Sequence, residues 1–217
     1  MDKFVFILEL LAEKGPSDLN EIVQETKISR STAHRLLTAM EGHHLVMKNK
    51  EGYLLGSRIT GWGEVSSSKR LVELAKPSLI NLTKLTGESS QLYVKEGNKR
   101  ICIASVEPKL GLTNTVPVGS VFPLDVGSAG KVFKVWSEKY KDHEKYNDIR
   151  QQGWTESVAE RVEGVASVSS PIFSQTGTLR AAVSVSGPIS RIGTEPSKIL
   201  SEHVINAARE IEQLLKS

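Results

Sequence analysis

Residues 29–46 read SRSTAHRLLTAMEGHHLV, and they decide how the first quarter of the chain folds. Ala33, Leu36, Leu37 and Met40 recur at i, i+3, i+4 and i+7, one apolar stripe of a helix. The other faces carry Arg30, Ser31, Thr32, His34, Arg35 and Thr38. Solvated helices ordinarily pair Glu with Lys four residues on. Here no acid precedes Glu41, and short hydroxyls stand among arginines.

The flanking residues complete a motif. Upstream, Phe4, Ile7, Leu8 and Leu11 form a second stripe, which Gly15 and Pro16 end. Ser17 or Asp18 then caps a short helix with Leu19, Ile22 and Val23 inward. Ser29 is placed to cap the quoted helix. Downstream, residues 45–47 and 53–55 read as two strands around the polar turn NKEG. A helix-turn-helix followed by a hairpin is a winged helix.

Charge is placed as DNA binding requires. Residues 1–58 hold eight Lys or Arg and eight Asp or Glu, so this part is formally neutral. Residues 27–50, however, carry five bases against Glu41 alone, with three histidines besides. Positive charge thus collects on the third helix and the wing, which face DNA in a winged helix. Arg30 and Arg35 suit guanine edges or phosphates. Ser29, Ser31 and Thr32 are short donors near a helix N-terminus. His34 can reach a base or a phosphate, and Lys48 and Lys50 would track the backbone. The competing possibility is a helix-turn-helix used for protein contact alone. His43 and His44 read as helix-end residues.

Composition narrows the class. The chain has 217 residues, room for two modest domains or one large one, and a net charge of +3. No apolar run approaches the roughly 20 residues that span a bilayer. Glu9 and Glu13 interrupt the apolar N-terminus, so it does not read as a signal peptide. Cys102 is the only cysteine, which excludes an intrachain disulfide or a Cys-based zinc cluster. A cytoplasmic protein is expected, with no membrane partner, metal or cofactor.

Beyond Gly56, the polar SSSK reads as a hinge, and Trp62 as a packing residue in preference to a dimer contact. Leu71, Leu74, Ala75, Leu79, Leu82 and Leu85 give a helical stripe interrupted at Pro77. The period then changes. Strand-like runs lie around EGN near residue 97, and two more lie in residues 162–189. A helix is expected over 131–140 and a last one from Pro196, with Ile199, Leu200, Val204, Ala207, Ala208, Ile211 and Leu215 on one side. This is an α+β domain with a mainly antiparallel sheet. The expected division is 1–57 winged helix, 58–75 linker and 76–217 second domain.

Chemistry in the second domain is sparse. GSAGK, residues 127–131, lacks the spacing and the hydroxyl of a phosphate loop. Ser128 and Lys131 have Ser-x-x-Lys spacing but no partner motifs. A glycine-lined helix start can bind a small carboxylate through free N–H groups, and a structural turn is the alternative. Ser184 and Ser186 point to one side of a strand, where buried hydroxyls need partners, either a ligand or the adjacent backbone. Cys102 reads as a buried strand thiol. His143 and His203 have no metal-spaced partner.

These residues carry a resemblance. STAHRLLTAMEGHHLV followed by GYLLG strongly resembles the DNA-binding end of the IclR-type bacterial transcriptional regulators. TGESSQLYV, TVPVGS, GVASVSSPIF and AAVSVSGPI resemble their effector domain. TGESSQLY, RICIASVE and GWTESVAERVEGVASVS look closest to the actinobacterial subgroup controlling leucine and other amino-acid biosynthesis genes. The resemblance implies a winged helix, a linker helix and a GAF-like effector domain. It also implies homodimers or homotetramers, double-stranded operator DNA, repression and a small-molecule effector, an organic acid or amino-acid metabolite. The family's pocket is lined at the positions of Gly127, Ser128, Ala129, Gly130, Ser157, Ser167, Ser184 and Ser186. Many members have Asp at Ser157 and Cys at Ser167, so effector identity does not carry over. The segment between KVFKVW and GWTES is short for the family, which implies a trimmed pocket lid or a vestigial pocket. The alternative class is a small-molecule enzyme with an accessory nucleic-acid domain.

Overall fold

Asp18 begins the helix-turn-helix by accepting the Asn20 and Glu21 N–H groups at 2.6 and 2.9 Å. The computed structural model describes residues 2–64, 68–109, 113–140 and 142–216. Its chain divides into two units, Met1–Lys69 and Arg70–Ser217.

The first unit runs α1 (Asp2–Lys14), α2 (Leu19–Thr26), α3 (Arg30–Gly42), β1 (Val46–Lys48), β2 (Tyr53–Leu55) and α4 (Ser57–Glu64). Lys27 takes the left-handed conformation that closes α2 and turns the chain into α3. Ile7, Leu11, Ile22, Ala33, Leu37 and Met40 are buried together with Leu10, while Leu36 flanks this core. Burying each large side chain contributes about 1.5–3 kcal/mol. Ser29 occupies the N-cap of α3, but its hydroxyl donates to Thr32 Oγ1 at 2.9 Å and to no helix N–H. β1 and β2 pair antiparallel from Val46↔Leu55 to Lys48↔Tyr53. Tyr53 also bridges Ser17. Gly52 makes that approach possible, since a Cβ there would lie 2.5 Å from the Ser17 carbonyl at a φ of +139°. Trp62 is not a core residue: it is 53% exposed, with the Arg58 guanidinium 5.6 Å from the centre of its ring. Of the SSSK stretch, Ser66 and Ser67 lie outside the described residues.

The second unit opens with α5 (Lys69–Thr86), which continues through Pro77 where an interruption was expected. Then follow β3 (Ser89–Glu96), β4 (Lys99–Val106), β5 (Val121–Pro123) and α6 (Ser128–Val135). Two 3-10 turns, Glu138–Tyr140 and Glu144–Tyr146, lead into α7 (Asn147–Gln152). The chain closes with β6 (Thr155–Val158), β7 (Val165–Phe173), β8 (Leu179–Pro188), α8 (Ile189–Ile192) and α9 (Ser197–Lys216). The six strands form one antiparallel sheet in the order β5-β4-β3-β8-β7-β6. The expected hairpins are present as β3-β4 and β7-β8, and β5 and β6 extend them at the two edges.

Helices cover the two faces differently. On one face α5 and α9 set Leu79, Leu82, Leu200, Val204 and Ile211 against Leu92, Val168, Ile172 and Val183. Ile199 is not part of that face, being 55% exposed. On the other face α6 packs Val132 and Phe133 against Tyr93, Cys102 and Ala182. The helix expected over 131–140 starts and stops earlier. Gly127, at a φ of +77°, turns the chain directly into α6, and Ser137 folds back on the Lys134 carbonyl through its N–H and hydroxyl. A register shift between Leu92 and Tyr93 splits β4, so that Ala104 joins the α5/α9 core and Cys102 faces α6.

Candidate nucleic-acid interface and effector pocket

The outward face of α3 presents Arg30, Ser31, His34, Arg35 and Thr38 to solvent, with Thr32 half-buried. Arg30 donates to Asn20 Oδ1, so α2 holds its guanidinium near the start of α3. No Asp or Glu accepts from Arg35 among the described residues, which leaves its charge to an outside partner. In the wing, Asn49 Oδ1 accepts the Glu51 and Gly52 N–H groups at 2.9 and 3.0 Å and fixes the turn. Lys50 is exposed on that turn, and the Lys48 ammonium rests 5.0 Å from the centre of the Tyr53 ring. His43 caps α3 at its C-terminus, and His44 follows at a φ of +56°.

Strand register builds the second site. Across the α6 face, Ser157 pairs with Ser167, Ser167 with Ser186 and Ser186 with Ser89. One step along the strands, Thr155 pairs with Ser169, Ser169 with Ser184, Ser184 with Gln91 and Gln91 with Ser105. Paired residues share a face, so two polar rows cross the sheet where apolar residues would ordinarily pack. Many of the hydroxyls bond one another. Ser128 Oγ lies 2.7 Å from both Ser167 Oγ and Ser169 Oγ, and Ser169 donates to Ser184 at 2.9 Å. Ser186 donates to Gln91 Oε1 at 3.0 Å and accepts from Asn114 at 2.8 Å.

Part of these rows borders a cavity of about 30 Å³ lined by Gly127, Ser128, Ala129, Ser157, Ser167, Ser184 and Ser186, with Tyr93, Arg100, Arg161, Val162 and Val165. Seven of the eight expected pocket residues therefore meet there. Gly130 does not line the cavity. It seats α6, since a Cβ at that position would lie 2.6 Å from the Leu124 carbonyl oxygen and 2.8 Å from Arg100. Roomier hollows of about 380 and 520 Å³ contain none of the eight. Among the described residues of the 137–152 segment, the expected lid, none lines the cavity either. Arg150 gathers that segment by donating to the Val135 carbonyl at 3.0 Å and to the Tyr140 carbonyl. Residues 161 and 162, from the β6–β7 loop, do the lining instead.

Arg100 was not legible as a site residue. It is 3% exposed, donates to the Val126 carbonyl at 2.8 Å and to that of Pro123, and stacks on Phe122 at 5.2 Å. The Arg161 guanidinium stacks on the same ring at 4.7 Å. Burial lowers the affinity of Arg100 for its proton, Tyr93 and Asp125 favour its charge, and Arg161 opposes it. The available signal was an arginine in register with Cys102 on an alternating strand. Burial likewise holds the Tyr93 hydroxyl above its ordinary range and pushes the Cys102 thiol up to about 12.

The start of α6 carries one further bond. The Gly127 N–H donates to Glu160 Oε2 at 3.1 Å, and Lys131 pairs with Glu160 Oε1. Burial alone would raise the Glu160 carboxyl. Lys131, Gly127 and Ser157 outweigh it and hold the group below its ordinary range. With Lys131 on Glu160 and on the Glu156 carbonyl at 2.8 Å, and Ser128 among serines, their Ser-x-x-Lys spacing does not form a nucleophile and base.

Comparison with known proteins agrees with this architecture. The IclR helix-turn-helix domain matches residues 2–50, and the bacterial transcriptional regulator IclR C-terminal domain matches residues 63–147 and 142–213. The HTH-type transcriptional regulator BhcR of Paracoccus denitrificans is 26% identical over 237 residues, covering 97% of this chain and 85% of its own. The HTH-type transcriptional repressor AllR of Escherichia coli is 24% identical, covering 99% and 89%. An IclR homologue from Microbacterium hydrocarbonoxydans, solved with 4-hydroxybenzoate, superposes with a TM-score of 0.74 at 20% identity, covering 99% and 98%. The chain belongs to the IclR family of transcriptional regulators, which are not enzymes. No described helix is long and apolar enough to cross a membrane.

Proposed function

We propose that this member of the IclR family is an operator-binding repressor whose hold on DNA is set by a small organic acid in the second unit. The observation that carries the effector half is a concentration of unmet polar groups. The buried side-chain polar atoms without a partner among the described residues are Ser89 Oγ, Gln91 Nε2, Ser105 Oγ and Arg100 Nε. All belong to β3 and β4, and Ser89, Gln91 and Ser105 lie in the polar rows. Buried polar atoms are nearly always bonded; of these residues Arg100 lines the cavity, and a polar ligand there answers its Nε. The homologue solved with 4-hydroxybenzoate supports a carboxylic acid.

In this scheme residues 1–57 bind DNA, 58–75 link and 76–217 sense. Arg30 and Arg35 read the major groove, with Ser29, Ser31, Thr32 and His34 beside them and Lys48 and Lys50 on phosphates. Gly127, Ser128, Ala129, Ser157, Ser167, Ser184 and Ser186 hold the effector. Homodimers, or pairs of them, span a palindrome. AllR, a repressor, supports the sign of regulation. The motifs TGESSQLY and RICIASVE support amino-acid biosynthesis genes, those for leucine first, as the targets.

Fluorescence anisotropy tests this directly, using DNA from upstream of the protein's own gene and of leucine-biosynthesis genes. Binding that exceeds that to scrambled DNA, falls steeply with salt and changes with an added acid is expected. Equal, weak binding to every sequence would overturn the operator half. Operator binding indifferent to every acid would favour an effector-independent repressor, which the 30 Å³ size of the cavity also suits.

A further inference from the structure

The charge around the cavity is one-sided. Arg100 and Arg161 both line it and both stack on Phe122, at 5.2 and 4.7 Å. Among the described residues no Asp or Glu lines it. Asp125 favours the charge of Arg100 from a distance, and no ion pair joins either arginine to a carboxylate among the described residues. Of the two acids on the lining loop, Glu160 is matched by Lys131, and Glu163 does not line the cavity. Among the described residues, the Arg161 side chain donates to a neutral acceptor, Asn114 Oδ1, at 3.4 Å. Arg100 keeps its Nε unpartnered although the residue is only 3% exposed. Two guanidiniums held close in a poorly solvated site repel each other. Each presents a planar fork suited to carboxylate or phosphate oxygens.

We propose that the effector is a small acid bearing two negative charges, held by Arg100 and Arg161. The inference rests on the effector-pocket assignment above and goes further by naming the ligand's charge. Such a ligand cancels the repulsion between the two arginines, whereas a monoanion leaves one of them unmatched. Its polar remainder meets the Ser184 and Ser186 hydroxyls, which line the cavity. Because about 30 Å³ holds only a water or two, entry requires movement. Arg161 sits on the 159–164 loop, most of whose residues are exposed, so that loop is the side from which a ligand can enter.

Isothermal titration of the full chain tests this with matched pairs, succinate against butyrate and phosphoglycolate against glycolate. Each acid is also added to the operator-binding assay. At least one dianion is expected to bind about tenfold more tightly than its monoanionic partner, and Arg161→Gln to erase that preference. Arg161→Lys should retain part of it. Succinate alone would assign a dicarboxylate, phosphoglycolate alone a phosphoryl group, and either supports the proposal. Arg100→Gln risks misfolding, so the exposed-loop variant carries the test. Equal affinity within both pairs, or a preference surviving Arg161→Gln, would overturn the two-arginine clamp and leave the effector pocket standing. No binding and no effect on DNA by any acid would overturn both.

Discussion

Glu160 Oε2 accepts the Gly127 N–H at 3.1 Å, so the amide that opens α6 already holds a carboxylate from the chain itself. An outside acid approaching that amide competes with Glu160. Glu160→Gln should therefore strengthen acid binding several-fold, up to about tenfold, as read by titration calorimetry. The same bond makes a pH prediction. The folded-state value of Glu160 lies below its ordinary 4.5. Its contribution to stability is thus present above that value and lost as pH falls through the folded one. Urea midpoints for the wild type should drop more than those for Glu160→Gln between pH 6 and pH 3.5.

Arg35 and Lys50 should separate two kinds of DNA contact. Arg35 is exposed on α3 with no acid beside it, so Arg35→Ala should cost about 1–3 kcal/mol of operator affinity and relax sequence preference. Lys50, at the wing tip, should act on phosphate. Lys50→Ala should weaken all sequences alike and lower the log–log salt slope by about one. Neither change should move the melting temperature.

Gly52 ties the wing to the helix-turn-helix. Its φ of +139° and the 2.5 Å approach of a Cβ to the Ser17 carbonyl leave no room for alanine. Gly52→Ala should destabilise the first unit by about 1–3 kcal/mol and weaken DNA binding with it. Calorimetry of the full chain would show the loss, and Gly61→Ala, where a Cβ meets open space, is the control.

Ser169 is the joint of the hydroxyl network, fully buried and bonded to Ser128 and Ser184. Ser169→Ala strands parts of two buried hydroxyls and should cost about 1–3 kcal/mol in urea unfolding. Unchanged stability would mean that the polar rows are not held together by these bonds.

What could be read in the sequence followed from local rules. The α3 stripe, the Asp18 cap, the NKEG turn and the two hairpins each depend on neighbours within a few residues, and the structure contains them all. Helix ends slipped where a single backbone choice decides, at Gly127 for α6 and at Pro77, which α5 absorbs. The pocket was legible only in pieces. Ser184 and Ser186 share a side by spacing alone, but their alignment with Ser169, Ser167 and Ser157 is a matter of register between distant strands. Resemblance supplied that grouping. It did not supply Arg100, which faces α6 because of a bulge in β3-β4 pairing, or Arg161, which arrives on a loop.

The position of β3 has a kinetic consequence. It joins β8 across the middle of the sheet, and the Ser186–Gln91 bond there spans 95 positions of sequence. The hairpins β3-β4 and β7-β8 close short loops, whereas the seam between them must bring distant segments together, a slow step in folding. Both polar rows cross that seam. The ligand cradle is thus assembled late, and ligand that binds only the finished sheet acts as a clasp on the seam. Amide hydrogen exchange along β3 and β8 should slow on adding the cognate acid before any change reaches the wing.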